Sequence, residues 1–198
     1  MKNNSKSKLY ADDHPDISTK GTGFKDEIIA LNTIKIISAR CLKYQFDVIN
    51  TMYNRAKYHP NQTPDMKKAM VIFKQWLDKY KSKKEIENKY KDFLSLELIA
   101  SYEKLAVEYN INDKYKDFLK EYKKIKKPYK LQYILANNKE DYYSLRIKFI
   151  KSILQKIKQN NNKLFYTSGK NAGLPTKNHI ILILHAYSPI KLVRNYSQ

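Results

Sequence analysis

Cysteine, glycine and acidic residues are scarce in this chain, and each shortage removes a class of protein. Of 198 residues only Cys41 is a cysteine, so there is no disulfide framework and no Cys-based zinc site. A lone cysteine beside a predicted helix serves as a small core residue. Four glycines and six prolines, set against long runs of helix formers, point to a mostly helical protein. No apolar run approaches a membrane span; the longest, Ile180 to Leu184, is far too short. The first residues, MKNNSKSK, lack the apolar segment of a secretory signal. Lys2 stands where myristoylation needs glycine, and no prenylation box is present. The expectation is a soluble intracellular protein, or one packaged from an intracellular compartment.

Catalytic signatures are missing as well. There is no GxSxG, no HExxH and no nucleophile motif around Cys41. Ser168-Gly169-Lys170 invites comparison with a phosphate loop, but Leu164 stands where the first glycine belongs and Asn171 where a hydroxyl is required. His179 and His185, six apart, would face different sides of a helix. Asp12, Asp13, His14 and Asp16 match no ligand spacing, although with His59 or His179 they leave open a metal-dependent enzyme. No catalytic residue, metal ligand or cofactor is assigned.

What is abundant is positive charge. Lys and Arg number 39 against 19 Asp and Glu, a formal net charge of +20. The excess is uneven: residues 131–198 carry eleven basic and two acidic side chains, +9, against +4 for 1–60 and +7 for 61–130. Such an excess implies a polyanionic partner, nucleic acid first and an anionic membrane surface second. Thirty-five of the basic residues are lysine, which an AT-rich genome also favours, so codon drift is a second source of the charge. Arginine is confined to Arg40, Arg55, Arg146 and Arg194. Charge dominated by lysine predicts contact with phosphates and little reading of base edges.

Periodicity and end signals place the elements. A helix from about Asp26 to Arg40 carries Ile28, Ile29, Leu31, Ile34, Ile36 and Ile37 on more than one face and reads as the central buried helix. Phe46, Ile49, Met52, Tyr53 and Ala56 form one helical stripe, which His59-Pro60 stops. Thr63 caps the next helix with Pro64 at its first position, and Met66, Ala69, Met70, Phe73, Trp76, Leu77 and Tyr80 repeat the stripe. These two helices must pack together.

Lys89-Tyr90-Lys91-Asp92-Phe93-Leu94 recurs unchanged at 114–119, in what reads as an antiparallel helical hairpin. Asn112 is a plausible cap for its second helix, and Pro128 closes that helix. The narrow apolar stripe and dense mixed charge of this segment predict a projecting arm whose removal leaves the rest folded. Residues 129–136 fit a short strand or the approach to a helix. Asn138 reads as the cap of a long helix with Tyr143, Ile147, Ile150, Leu154 and Ile157 inward. After a basic loop, residues 180–186 suit a strand or a helix, and the cap Thr176 tips the reading to helix.

The expected fold is therefore mainly α: a central antiparallel helix pair, a projecting hairpin and one or two short strands at most. Its parts are a lead-in over 1–23, a helical core over 24–80, the arm over 81–128, and a basic C-terminal part of the core over 129–198.

INTMYNRAKYHPNQTPDMKKAMVIFKQWL, YADDHPDISTKGTGFKDE and GLPTKNHIILILHAYSPIKL resemble segments of a family of uncharacterised small basic proteins encoded by large double-stranded DNA viruses of eukaryotes, the giant viruses. Together they cover about a third of the chain. The resemblance implies a viral source, with a place in the viral factory or virion, and supplies no active residues.

The functional expectation is non-specific binding of nucleic acid, DNA before RNA, in genome packaging, the virion core or replication. Its carriers are Arg146, Lys148, Lys151, Lys158, Lys163, Lys170, Lys177 and Arg194. Tyr142-Tyr143 and Phe165-Tyr166, interleaved with these cations, fit either a base-stacking platform or core packing. The alternative is a scaffold that docks an acidic protein through the 83–127 hairpin.

Overall fold

The structure, a computed structural model, describes residues 19–111, 114–161 and 163–192. The Asp12–Asp16 cluster, the Asn112 cap and Arg194 lie outside these residues. Among the described residues eight α-helices follow one another: α1 (Glu27–Ile37), α2 (Leu42–Lys57), α3 (Pro64–Asp78), α4 (Tyr80–Asn88), α5 (Leu96–Glu108), α6 (Lys114–Lys124), α7 (Tyr142–Gln159) and α8 (Lys177–Leu184). A 3-10 helix, Pro128–Tyr133, lies between α6 and α7. Among the described residues no strand forms, and two isolated bridges, Leu135 with Asp141 and Phe165 with Pro175, stand in place of the short strands allowed for.

The expected helix pair is present. Thr63 accepts a hydrogen bond from the Met66 amide and Pro64 opens α3, so the first-turn donors of α3 find a partner where the sequence placed one. Ile49 of α2 and Ala69, Phe73 and Trp76 of α3 share a buried cluster with Ala30 and Ile37 of α1. Helix α1 is not the central buried helix. It lies on the outside of the pair, burying only Ala30, Thr33 and Ile37, while Ile28 and Leu31 are 77% and 52% exposed. Only one face of α1 meets the pair, so the surplus apolar residues on its other faces stay in solvent. Gly23 packs its backbone onto that inner face: its amide donates to the Thr33 hydroxyl (2.8 Å), and a Cβ there would meet Ile29 at 2.8 Å.

A second cluster joins what the sequence divided. Ile99, Tyr102, Ala106 and Tyr109 of α5, Tyr115, Phe118, Leu119 and Tyr122 of α6, and Ile180, Ile183 and Leu184 of α8 form one core with Leu131. The hairpin helices therefore exist but do not project, because their tyrosine-bearing faces are turned onto α8. Helices α5 to α8 with the 3-10 helix make one half of the molecule, and α1–α3 make the other with α4 packed on α2 and α3.

The long helix α7 spans this second half. It begins at Tyr142 and is capped by Asp141, three residues later than Asn138. The two hexapeptide copies differ in structure: Lys114–Leu119 is helical, whereas 89–94 is the non-helical link between α4 and α5. Helix α8 is helical as expected, with the Thr176 hydroxyl accepting from the His179 amide at 3.4 Å.

Candidate nucleic-acid interface

Helix α7 and the loop after it carry most of the expected cations. Arg146, Ile147, Ile150, Ile153 and Ile157 face inward. Lys148, Lys151, Gln155 and Lys158, spaced by three, four and three residues, line the opposite, exposed face, and Lys156 is exposed beside them. Beyond α7 the chain folds back on itself. The Tyr166 amide donates to the Leu174 carbonyl and the Gly173 amide to the Tyr166 carbonyl, both at 2.9 Å. Gly173 has φ +82°, which the turn requires and which a side chain would resist. This loop exposes Lys163 and Lys170 and delivers the chain to Lys177, the first residue of α8.

Three cavities lie between these groups. One of about 360 Å3 has Lys163, Phe165, Tyr166, Thr176 and Lys177 in its wall. A second, of about 400 Å3, shares Lys177 and adds Lys156. The third, of about 340 Å3, lies where the α1–α2 link and the start of α2 meet α4 and α7, and is flanked by Lys83, Lys148 and Lys151. Cations thus stand along both flanks of α7. Lys83 and Lys156 were not among the expected carriers. Lys83 lies far away in sequence, and Lys156 lies on the other flank of α7 from Lys151 and Lys158.

Arg146 is not a surface contact. It is fully buried, and its guanidinium donates to four backbone carbonyls: Nε to His185 (2.8 Å), Nη1 to Tyr90 (2.7 Å), and Nη2 to Asp92 (2.8 Å) and Ala186 (3.0 Å). It also lies over the Phe93 ring, 3.7 Å from its centroid. Burial pulls its pKa down to about 10, so it remains charged at neutral pH. The carbonyls belong to the chain leaving α4 and to the C-terminal end of α8, where the helix dipole favours a cation. A sequence signal exists: 146 falls on one helical face with 150, 153 and 157.

Lys148 is partly committed too, through an ion pair with Glu140 that also pulls the Glu140 carboxyl down. Lys151 is exposed, with its ammonium 5.5 Å from the Tyr90 ring centroid. Tyr142 and Tyr143 are no open stacking platform, because both pack against the α5–α6–α8 core and burial pushes the Tyr143 hydroxyl up to about 12. Phe165 and Tyr166 do lie at the surface cavity, held edge-on by His179 (5.2 Å) and Tyr109 (6.1 Å).

His179 and His185 are held within the fold. His179 has Nδ1 3.1 Å from the Leu164 carbonyl, and Nε2 the same distance from the Ser188 hydroxyl. The carbonyl can only accept, so Nδ1 carries the proton and Nε2 accepts from Ser188. His185 is stacked between Phe118 (5.6 Å) and Phe149 (4.9 Å). Burial lowers both pKa values and keeps the rings neutral. Cys41 is buried at the start of α2, and burial beside Asp141 pushes its thiol up to about 12, far from a reactive thiolate.

Among the described residues no group of three or more His, Cys, Asp or Glu is placed to hold a metal, and no helix is long and apolar enough to cross a membrane. No family model, curated protein or solved structure matches the chain.

Proposed function

We propose that this protein binds nucleic acid through its phosphates, without sequence preference, on the face formed by α7, the loop 163–176 and the start of α8. One observation carries the reading. Residues 142–198 hold ten Lys and Arg and not a single Asp or Glu, in a chain with 19 acids. Codon drift toward lysine does not account for that, since aspartate and glutamate codons are themselves compatible with an AT-rich genome. Lys151, Lys156, Lys158, Lys163, Lys170 and Lys177 are all exposed. The two acids just before this stretch, Glu140 and Asp141, are already paired with Lys148 and Arg40.

Glu87 of α4 faces Lys151, and the other lysines of this stretch outnumber the acids near them. Such an excess attracts a polyanion and displaces its condensed counterions, which gives affinity without base readout. In the viral setting implied by the sequence resemblance, such a protein would coat or package the genome or accompany its replication. The reading is tested by titrating random-sequence duplex and single strands across a salt series. A steep log–log loss of affinity, the same for unrelated sequences, supports it. Absence of binding at roughly physiological salt contradicts it, because non-specific binders still hold there with affinities of about 10⁻⁴–10⁻⁶ M.

A further inference from the structure

The cavity of about 400 Å3 between the α5–α6 turn, α7 and α8 differs from its neighbours in being almost wholly apolar. Ile111, Tyr115, Phe149, Ile153 and Ile181 line it, with the buried His185 at its inner side. The exposed Lys156 and Lys177 belong to its rim. Phe149 is braced, since its ring lies 4.9 Å from His185 at 23°, and His185 in turn lies 5.6 Å from Phe118 at 22°. Three stacked rings thus fix an aromatic wall. His185 is neutral, so no buried charge opposes an apolar-faced guest.

We propose that this cavity receives one unpaired base of a single-stranded nucleic acid, with the phosphates on either side of that base held by Lys156 and Lys177. The proposal rests on the phosphate-binding reading above and adds a strand preference to it. A base offers two flat faces that gain from leaving water against aromatic and aliphatic walls, and any base can do so. Its phosphates then fall at the rim, where the two ammonium groups stand. A base in a duplex would first have to leave its stack and its pair, a cost that a single strand does not meet. Charge complementarity favours a strand over a fatty acid. An acyl anion brings a single charge to a rim with two cations, whereas a strand continues past Lys177 to Lys163 and the neighbouring cavity.

The test uses the full chain and three probes: an oligothymidylate, the same strand with every base removed, and a duplex of equal length. The intact strand should bind roughly tenfold or more tightly than its abasic counterpart, since stacking contributes about 1–3 kcal/mol per base, and the salt slopes of the two should be equal. Ile181→Trp, which fills the cavity, should abolish that advantage and leave the slope unchanged. Should that variant misfold, the wild-type comparison of intact and abasic strands still decides. Equal affinity for both strands, with a steep salt slope, overturns the cavity proposal and leaves the phosphate surface standing. Failure of all three probes to show salt-sensitive binding overturns the surface reading itself. Saturable binding of a long-chain fatty acid that Ile181→Trp blocks assigns the cavity to an acyl anion and overturns the proposal.

Discussion

Arg40 and Asp141, 101 residues apart in sequence, meet as a buried ion pair at 3.4 Å where the two halves of the molecule join. Asp141 also accepts the Cys41 amide at 2.7 Å and the Ser144 amide at 2.8 Å, so one carboxylate caps α7 and holds the start of α2. Burial nevertheless raises its pKa above the ordinary 3.8, against the opposing pull of those amides and of Arg40. A carboxyl with a raised folded pKa binds its proton more tightly in the folded state. Its contribution to stability is therefore greatest below about pH 3.8 and is lost as pH rises through the folded value. Asp141→Asn keeps a good cap and removes the titration. The melting temperature of the variant minus that of wild type should rise between acid and neutral pH. A difference that stays flat or falls would mean that Arg40 and the amides outweigh burial.

Arg146→Lys tests whether that cation is structural. A lysine keeps the charge but cannot spread donors over four carbonyls from two segments. The change should cost about 3–5 kcal/mol, as breaking a buried charge network does, read from denaturant unfolding. It should leave the salt slope of binding unaltered in the fraction that remains folded. Wild-type stability with a slope flatter by about one unit would return Arg146 to the phosphate surface.

Trp76, buried in α3 with the Tyr80 ring stacked at 6.1 Å and the Lys83 ammonium 4.5 Å above it, is the only tryptophan. Trp76→Ala should destabilise the α1–α3 half by about 3–5 kcal/mol. A melting temperature within a degree or two of wild type would contradict its place in the core.

Deleting 83–127 behind a flexible linker should abolish cooperative unfolding of the second half, because Ile180, Ile183 and Leu184 of α8 lose the helices that cover them. Trp76 fluorescence should still report a buried ring. A single sharp transition in that deletion would restore the hairpin to the status of an arm.

Local chemistry carried the sequence reading as far as local chemistry decides structure. Thr63-Pro64 and Thr176 announced α3 and α8 because a cap acts within its own turn. The repeated hexapeptide shows the boundary. At 89–94 the carbonyls of Tyr90 and Asp92 go to Arg146 and Phe93 lies under its guanidinium, whereas the same six residues at 114–119 bury Tyr115, Phe118 and Leu119 as a helix. Tertiary context chose between them. The lysine face of α7 could be read from its spacing of three and four. The cavity at Lys156 and Lys177 could not, since the α5–α6 turn, α7 and α8 come together only in the fold.

The most direct measurement compares salt slopes on duplex DNA for two triple variants. Lys151→Gln, Lys158→Gln and Lys177→Gln together remove exposed cations from the stretch that has no acids of its own; Lys116→Gln, Lys120→Gln and Lys123→Gln remove as many from α6, where Asp117 and Glu121 stand among them. Each lost phosphate contact flattens the log–log slope by about 0.9. The first variant should bind every sequence more weakly, with a slope flatter by roughly two to three units, and the second should stay near wild type. Equal slopes for the two would show that the face of α7 and α8 has no special claim on phosphate.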